Sequence, residues 1–464
     1  PLVAATGKRG ANRAFRLAEN LAARDEGVPT APDLGPFAAL SAAKIAPEVA
    51  AAIAGFVAGA EDRDLVRMRP YELADRWNLP RREVLRAFLA ATRRGLFNLS
   101  WSVICSSCRG PSPGLESLDK LENGYHCPSC NVKFDAVFDR SVEVTFDAKP
   151  LGRGGDVGLF CIASPQRSSH VFAQLTVAAG DAVDFEVTLA PGSYDVHAMG
   201  AGIAPFVASA QDGPGELEVS LHPLAGIDST HAVRSGSVRA RVENDLDGDA
   251  IVRIEDGRWP DTIATAAQVT ALQEFRDLFS SQVLAPGLQL SIETMAVLFT
   301  DLIGSTAMYA KTGDAGAFRI VNDHFDVVRD ILGRHEGAMV KTIGDAVMAV
   351  FVDPAKCFDA ALELDESIRT ISADGEPLRM RVGFHVGPCI AMRANDRIDY
   401  FGTTVNLAAR LESLARAGEI TLAKEVAERP AIASRLSALG ERVSEETVHV
   451  KGITDDVAVV RVSS

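Results

Sequence analysis

MAVLFTDLIGST (Met295–Thr306) and MVKTIGDAVMAVF (Met339–Phe351) are two hydrophobic runs that each stop at an aspartate, Asp301 in the first and Asp345 in the second. Runs rich in Val, Ile, Leu and Phe read as buried strands, and a carboxylate where such a strand ends is unfavourable unless a cation or donor meets it. If neighbouring strands bring Asp301 and Asp345 together, the charges repel unless shared Mg2+ or Mn2+ ions hold them, as in two-metal sites with ions roughly 3.5 to 4 Å apart. The pattern points to phosphoryl chemistry.

Outward from these runs, strand patterns cover Ala296–Thr300, Met339–Ile343, Ala346–Val352 and Arg379–Ala391, and helical patterns cover Ala315–Glu336 and Ala355–Ile371. Their order predicts an α+β domain over 293–464 with a ferredoxin-like βαββαβ core. A further helix is expected over Val405–Ala417 and a closing strand over Val457–Val462.

Four segments in order, FTDLIGST, KTIGDAVMAVF, MRVGFHVGP (Met380–Pro388) and DYFGTTVNLAARLE (Asp399–Glu412), resemble the motifs of class III nucleotidyl cyclase catalytic domains. The resemblance implies that Asp301 and Asp345, helped by the Leu302 carbonyl, hold two Mg2+ or Mn2+ ions per active site. It assigns Lys341 and Asp399 to purine selection, Asn406 to orienting the ribose, and Arg381 and Lys451 to phosphate contact. Arg410, one helical turn beyond Asn406 and on the same face, matches the arginine that stabilises the pentavalent phosphorane. A lysine can donate to adenine N1 while a carboxylate accepts from the N6 amine, whereas guanine presents a carbonyl at that edge. GTP-using members carry Glu and a small residue or Cys at the two places, and this chain does not. The implied reaction converts ATP to 3',5'-cyclic AMP and pyrophosphate. In the family, metal and purine residues come from different protomers; a chain holding both sets implies a symmetric homodimer with two equivalent sites.

Each position also has a bland reading taken singly. Arg381 can cap a strand, Asn406 can cap a helix, and Lys341 can be a solvated strand residue. His385 and Cys389 match no catalytic position and read as structural.

Upstream, 261–292 reads as helix and linker, with VTALQEFRDLF placed either as a lever or as a spacer before the catalytic domain. From 136 to 260, alternating segments such as SVEVTFDA (Ser141–Ala148), HVFAQLTV (His170–Val177) and GELEVSLHP (Gly215–Pro223), broken by Gly, Pro and Asp, predict an all-β sandwich-like regulatory module. CSSC (Cys105–Cys108) and CPSC (Cys127–Cys130), separated by 18 residues, predict a zinc ribbon over 101–135. Four thiolates, Cys105, Cys108, Cys127 and Cys130, close a tetrahedral shell, so one structural Zn2+ per chain is expected. The other reading is two redox pairs; His126 reads as a bystander. Residues 38–100 read as a helical, winged-helix-like domain, in which Arg81–Arg94 takes the recognition-helix position and carries Arg81, Arg82, Arg86, Arg93 and Arg94. Those arginines either meet DNA or solvate the outer face of a packed helix hairpin. Residues 1–37 read as a flexible arm.

The 464 residues leave room for several domains, and the formal charge of -15 argues against broad nucleic-acid or anionic-membrane surfaces. The longest apolar run, Val49–Ala60, falls short of the roughly 20 residues that span a bilayer. No transmembrane segment or signal peptide is read, and the sequence opens on Pro1, so the initiator methionine and a short upstream piece are expected to be missing. Seven cysteines, four in close pairs, fit a reducing compartment, the cytoplasm. Three functions compete: an adenylate cyclase regulated by its N-terminal modules, a nucleic-acid-binding or nucleotide-sensing regulator that uses the cyclase-like domain to dimerise, and a guanylate cyclase.

Overall fold

Proline sets the start of the first helices. α1 (Pro47–Gly59) and α2 (Pro70–Trp77) each carry it in the first turn, where an N–H has no intrahelical partner to lose. The computed structural model describes residues 35–106, 109–128, 132–148, 170–198, 201–210, 213–223, 226–373, 375–449 and 456–463. Asn78 ends α2 in the left-handed region at φ 53°, and the Leu79–Pro80 turn leads into α3 (Arg81–Arg93). β1 (Phe97–Val103) follows, so helix, turn, helix and extended run come in the expected order.

α3 is no exposed recognition helix. Val84, Leu85, Ala87, Phe88 and Leu89 are buried in a core that extends into the C-terminal domain. Arg81 pairs with Asp75 at 2.6 Å and Asp261 at 3.3 Å, and Arg86 with Glu274 at 2.8 Å. Arg82 donates to the carbonyls of Gly333 and Arg334. Only Arg93 and Arg94, at the C-terminal end, are exposed. Arg81, Arg82 and Arg86 therefore bind other parts of the protein and Arg94 donates to the Ala90 carbonyl of its own helix, so the helix does not present the free row of arginines that either reading expected.

β2 (Gly124–Cys127) and β3 (Val132–Asp135) form a small hairpin. β4 (Val142–Ala148) pairs antiparallel with β1, so the SVEVTFDA segment joins the N-terminal helices and not the sandwich expected to contain it. Alternation marks a strand without naming its partner. Cys105 and Cys127 are buried, Arg109 N–H donates to the Cys105 carbonyl, and Cys105 N–H donates to that of Gly110. Cys108, Cys130 and Lys451, and the arm over 1–34, lie outside the described residues.

Among the described residues, nine strands build the β module: β5 (Val171–Val177), β6 (Ala182–Leu189), β7 (Gly192–Ala198), β8 (Gly202–Ser209), β9 (Glu216–His222), β10 (Gly226–Ser229), β11 (Ala232–Arg234), β12 (Gly236–Asn244) and β13 (Ala250–Asp256). They form sheets of order β10-β9-β12-β6 and β11-β8-β7-β13-β5. Inward residues of both, including Phe185, Leu217 and Val242 against Val196, Phe206 and Val252, share one core.

Short helices α4 (Ala266–Thr270) and α5 (Gln273–Leu278) lead into the C-terminal domain. Thr265 caps α4 through a capping box with Gln268. The domain runs β14 (Gln289–Leu302), α6 (Ser305–Arg334), β15 (Gly337–Ile343), β16 (Ala346–Phe351), α7 (Pro354–Ser367), two short strands β17 (Ser372–Ala373) and β18 (Glu376–Pro377), β19 (Met380–Ala394), β20 (Arg397–Phe401), α8 (Thr403–Leu414), β21 (Glu419–Ala423), α9 (Lys424–Ala427), α10 (Pro430–Leu439), β22 (Val443–Val448) and β23 (Val457–Ser463). Gly313, at φ 70°, breaks α6 into two stretches.

The sheet order β15-β16-β14-β19 is that of a ferredoxin-like core, and β21, β23 and β22 extend it beyond β19. Alternate residues of β14 serve two cores. Ala296 and Leu298 face α6 and α7, while Met295, Val297 and Phe299 join the core built with α3, β4 and α5. The N-terminal region thus covers the β15-β16-β14 part of one face of this sheet, and α8 packs over β19 on that face.

Candidate active site

β14 and β16 pair with Thr300 opposite Val347, so Asp301 leaves β14 beside Ala346, the residue after Asp345. The two predicted strand-end carboxylates therefore emerge from neighbouring strands, and both are half-buried. Arg381, opposite Asp301 across the β14–β19 ladder, meets it at 2.5 Å and also lies 2.5 Å from Glu412. Burial pushes the Glu412 carboxyl upward against the pull of Arg381. Asp345 Oδ2 is buried and accepts no hydrogen bond from the described residues. An orphaned carboxylate oxygen beside a second, arginine-neutralised carboxylate is a donor set of hard oxygens, which fits Mg2+ or Mn2+. Leu302 is buried at the strand end.

Below this end, His324 on α6 is fully buried, and neither ring nitrogen is hydrogen-bonded to any of the described residues. Burial holds its pKa down at about 4, against a smaller upward pull from Asp301.

Lys341 and Asp399 lie 58 residues apart, on β15 and β20, yet Lys341 Nζ donates to Asp399 Oδ2 at 2.6 Å. Tyr400 N–H donates to the other oxygen, Oδ1, at 2.8 Å, which orients the carboxylate. Asn406 and Arg410 are exposed on α8. The position of α8 depends on two glycines of MRVGFHVGP. A Cβ at Gly383 would come within 2.0 Å of Glu412 N, and one at Gly387 within 2.7 Å of Thr404 Oγ1. Only glycine lets helix and strand approach this closely. The side chain of Thr404 adds a bond to the Pro388 carbonyl at 2.6 Å.

His385 and Cys389, read as structural, are buried, and burial raises the Cys389 thiol to about 12. Sequence reasoning missed Glu412 and the glycine seats of α8. The spacing of Gly383 and Gly387 by four along one strand face was the available signal.

Residues 289–459 match the family described as adenylate and guanylate cyclase catalytic domain, and residues 35–154 match a family of unknown function, DUF5939. The receptor-type guanylate cyclase Gyc76C of Drosophila melanogaster is 32% identical over 149 residues, which is 29% of this chain and 10% of that protein. The receptor-type adenylate cyclase GRESAG 4.1 of Trypanosoma brucei brucei is 27% identical over 216 residues, 37% of this chain and 17% of that protein. The chain therefore spans less than a fifth of the length of either relative. Among solved structures, the adenylyl cyclase CyaB from P. aeruginosa is 24% identical with a TM-score of 0.33, covering 38% of this chain and 96% of that one. No helix among the described residues is long and apolar enough to cross a membrane.

Proposed function

Residues 289–459 are a class III nucleotidyl cyclase catalytic domain, and from that premise we propose that the chain converts ATP to 3',5'-cyclic AMP and pyrophosphate at a homodimer interface, under control of its N-terminal modules. The observation that carries the choice of ATP is the contact of Lys341 with Asp399 at 2.6 Å. One donor beside one acceptor matches the N1 and N6 positions of adenine, while guanine offers a carbonyl where the amine would stand.

In this reading Asp301 and Asp345 hold two Mg2+ or Mn2+ ions, which supply charge stabilisation and a more acidic ribose 3'-hydroxyl. The residues of the chain then bind and orient. Lys341 and Asp399 fix the purine, Asn406 the ribose, and Arg410 meets the charge that develops on the α-phosphate as the 3'-oxygen attacks in line. Arg381, paired with Asp301 and Glu412, would be available to phosphate if cations were held at Asp301, and Lys451 would be a further phosphate contact. Among the described residues no side chain stands as an evident general base, so the 3'-proton leaves to water or to substrate phosphate.

Two features support a dimer. Asn406 and Arg410 stand in solvent, and the apolar Ile303 and Ile343, close in sequence to Asp301 and Asp345, are 40% and 54% exposed. Apolar side chains beside a polar site are the usual mark of a covered surface. For the zinc ribbon, the burial of Cys105 and Cys127 supports one structural Zn2+ held with Cys108 and Cys130. The cytoplasm, where thiols stay reduced, is the compartment this chemistry suits.

The test is nucleotide turnover by the full-length chain with ATP and GTP, in Mg2+ and in Mn2+. Cyclic AMP as the main product is the expected result, and preferential turnover of GTP would overturn the purine assignment.

A further inference from the structure

Lys341 and Asp399 meet although their strands are not neighbours. β15 is the outer edge of the sheet, and β20 hangs from β19, with β16 and β14 lying between. No direct ladder joins the two strands, so their separation is set only through three intervening strands and by whatever else touches both. The α4–α5 segment, upstream of the catalytic-domain match that begins at 289, touches both.

On the β15 side, Gln273 Oε1 accepts the Met339 N–H at 2.9 Å in a buried bond. Met339 stands two residues before Lys341, on a strand with no sheet neighbour at that edge, and the β15–β16 register shifts between these two residues. Gln273 therefore takes up an edge N–H at the bulge that aims Lys341. On the β20 side, Arg276 reaches both residues flanking Asp399. It donates to the Ile398 carbonyl at 3.2 Å and to the Tyr400 hydroxyl at 3.4 Å. Its guanidinium carbon lies 5.7 Å from the Tyr400 ring centroid. Arg276 is itself locked to the Thr270 carbonyl at 2.8 Å, and Thr270 Oγ1 lies 3.1 Å from the Tyr400 hydroxyl.

A cavity of about 400 Å³ opens between α5 and these strands, lined in part by Gln273, Arg276, Met339, Lys341 and Ile398. Across a gap of that size the spacing is not dictated by packed side chains alone, so the polar bonds at its rim carry much of it. The Lys341–Asp399 bridge is closed at 2.6 Å, and a purine edge enters only if the two side chains separate. How far they separate is what distinguishes one purine edge from another, because each contact must return to roughly 2.9 Å.

We propose that Gln273 and Arg276 are positioning residues that set the Lys341–Asp399 gap, so that purine selectivity is decided in part by Ala266–Leu278, outside the catalytic domain. The proposal rests on the reading of Lys341 and Asp399 as the purine contacts. The brace is also tied to the N-terminal domain, because Glu274 of α5 pairs with Arg86 at 2.8 Å and Arg82 at 3.6 Å.

The experiment compares full-length wild type, Gln273→Met, Arg276→Met and the milder Arg276→Lys, each made both with Lys341 intact and with Lys341→Ala. Fluorescent ATP and GTP analogues give equilibrium binding, and turnover gives KM and kcat separately. Each Met variant should raise the KM for ATP about five- to tenfold with kcat within about twofold, the size of one lost hydrogen bond to an oriented partner. The ratio of ATP to GTP affinity should narrow by a similar factor, with Arg276→Lys intermediate. In the Lys341→Ala background these changes should vanish, because the residues act through the pair. Variants that keep the wild-type purine ratio, or whose effects persist in full without Lys341, would overturn the proposal. Since the readout is a change in the purine ratio, a wild type that prefers GTP would overturn the adenine assignment and leave positioning to be judged by the same variants. A wild type that binds neither analogue would overturn both.

Discussion

The end of the sheet proposed to hold metal and the end proposed to read the purine are built on different plans. At the first, Asp301 and Arg381 sit on directly neighbouring strands, and Glu412 of α8 completes the charge cluster within the same domain. At the purine end, Lys341 and Asp399 sit on strands that are not neighbours, and the bonds bracing them come from α5. A site made by adjacent strands inherits its geometry from the sheet ladder. One made by distant strands has to be held from outside, and whatever holds it can also adjust it.

The largest test of this contrast is at the metal end. Asp301→Ala or Asp345→Ala should lower metal-dependent turnover by about a thousandfold or more. The thermal unfolding of both variants should stay close to wild type, since the lost groups make few packing contacts. Retained turnover in either variant would remove the assigned metal site and with it one half of the comparison.

His324 offers a second handle on the same end. Its folded-state pKa, about 4, lies below the ordinary 6.5, so the unfolded chain takes up a proton that the folded chain refuses across that interval. Its contribution to stability is therefore intact above pH 6.5 and declines as pH falls towards 4, by up to about 3 kcal/mol. Urea unfolding of wild type and His324→Leu at pH 7 and pH 5 checks this. The variant should lose less stability on acidification than wild type does, and equal losses would contradict the buried neutral imidazole.

The purine end should yield a smaller effect that concerns selectivity. Lys341→Glu combined with Asp399→Cys should shift the preference from ATP towards GTP by about ten- to a hundredfold, because donor and acceptor are exchanged at the base edge. An unchanged preference, measured as the ratio of kcat/KM for the two nucleotides, would mean that another part of the chain reads the purine.

Much of this was legible before any coordinates. An apolar run ending in Asp announces a buried strand with a carboxylate at its tip, and the alternation of strand and helix patterns from 295 onward sets out the ferredoxin-like core that the sheet order bears out. What periodicity cannot express is partnership. Val142–Ala148 reads as a strand, but nothing in its alternation says that β1 is its neighbour. Arg82 reads as a cation on a helix, yet its hydrogen bonds go to backbone carbonyls at the end of α6, groups that every residue possesses and no sequence marks. Gln273 and Arg276 look like the solvent face of a linker helix for the same reason: their ligands are a strand N–H and a strand carbonyl.

The finest test separates stability from selectivity at the start of the brace. The Thr265 side chain accepts the Gln268 N–H at 3.3 Å, and Gln268 returns a bond to Thr265 N–H at 2.9 Å. Thr265→Ala removes half of this box and should destabilise the chain by about 1 kcal/mol, the ordinary worth of an N-cap. If the purine end is held only by its own strands, the variant loses that stability and nothing else, as an equivalent change near the metal end would. If α4 and α5 hold the gap, a loosened start to α4 should also narrow the ATP-to-GTP ratio, by about twofold, at a temperature where the chain is still fully folded. Thermal unfolding and the purine ratio measured on the same preparation distinguish the two, because lost stability dilutes activity towards both nucleotides equally while a shifted gap does not.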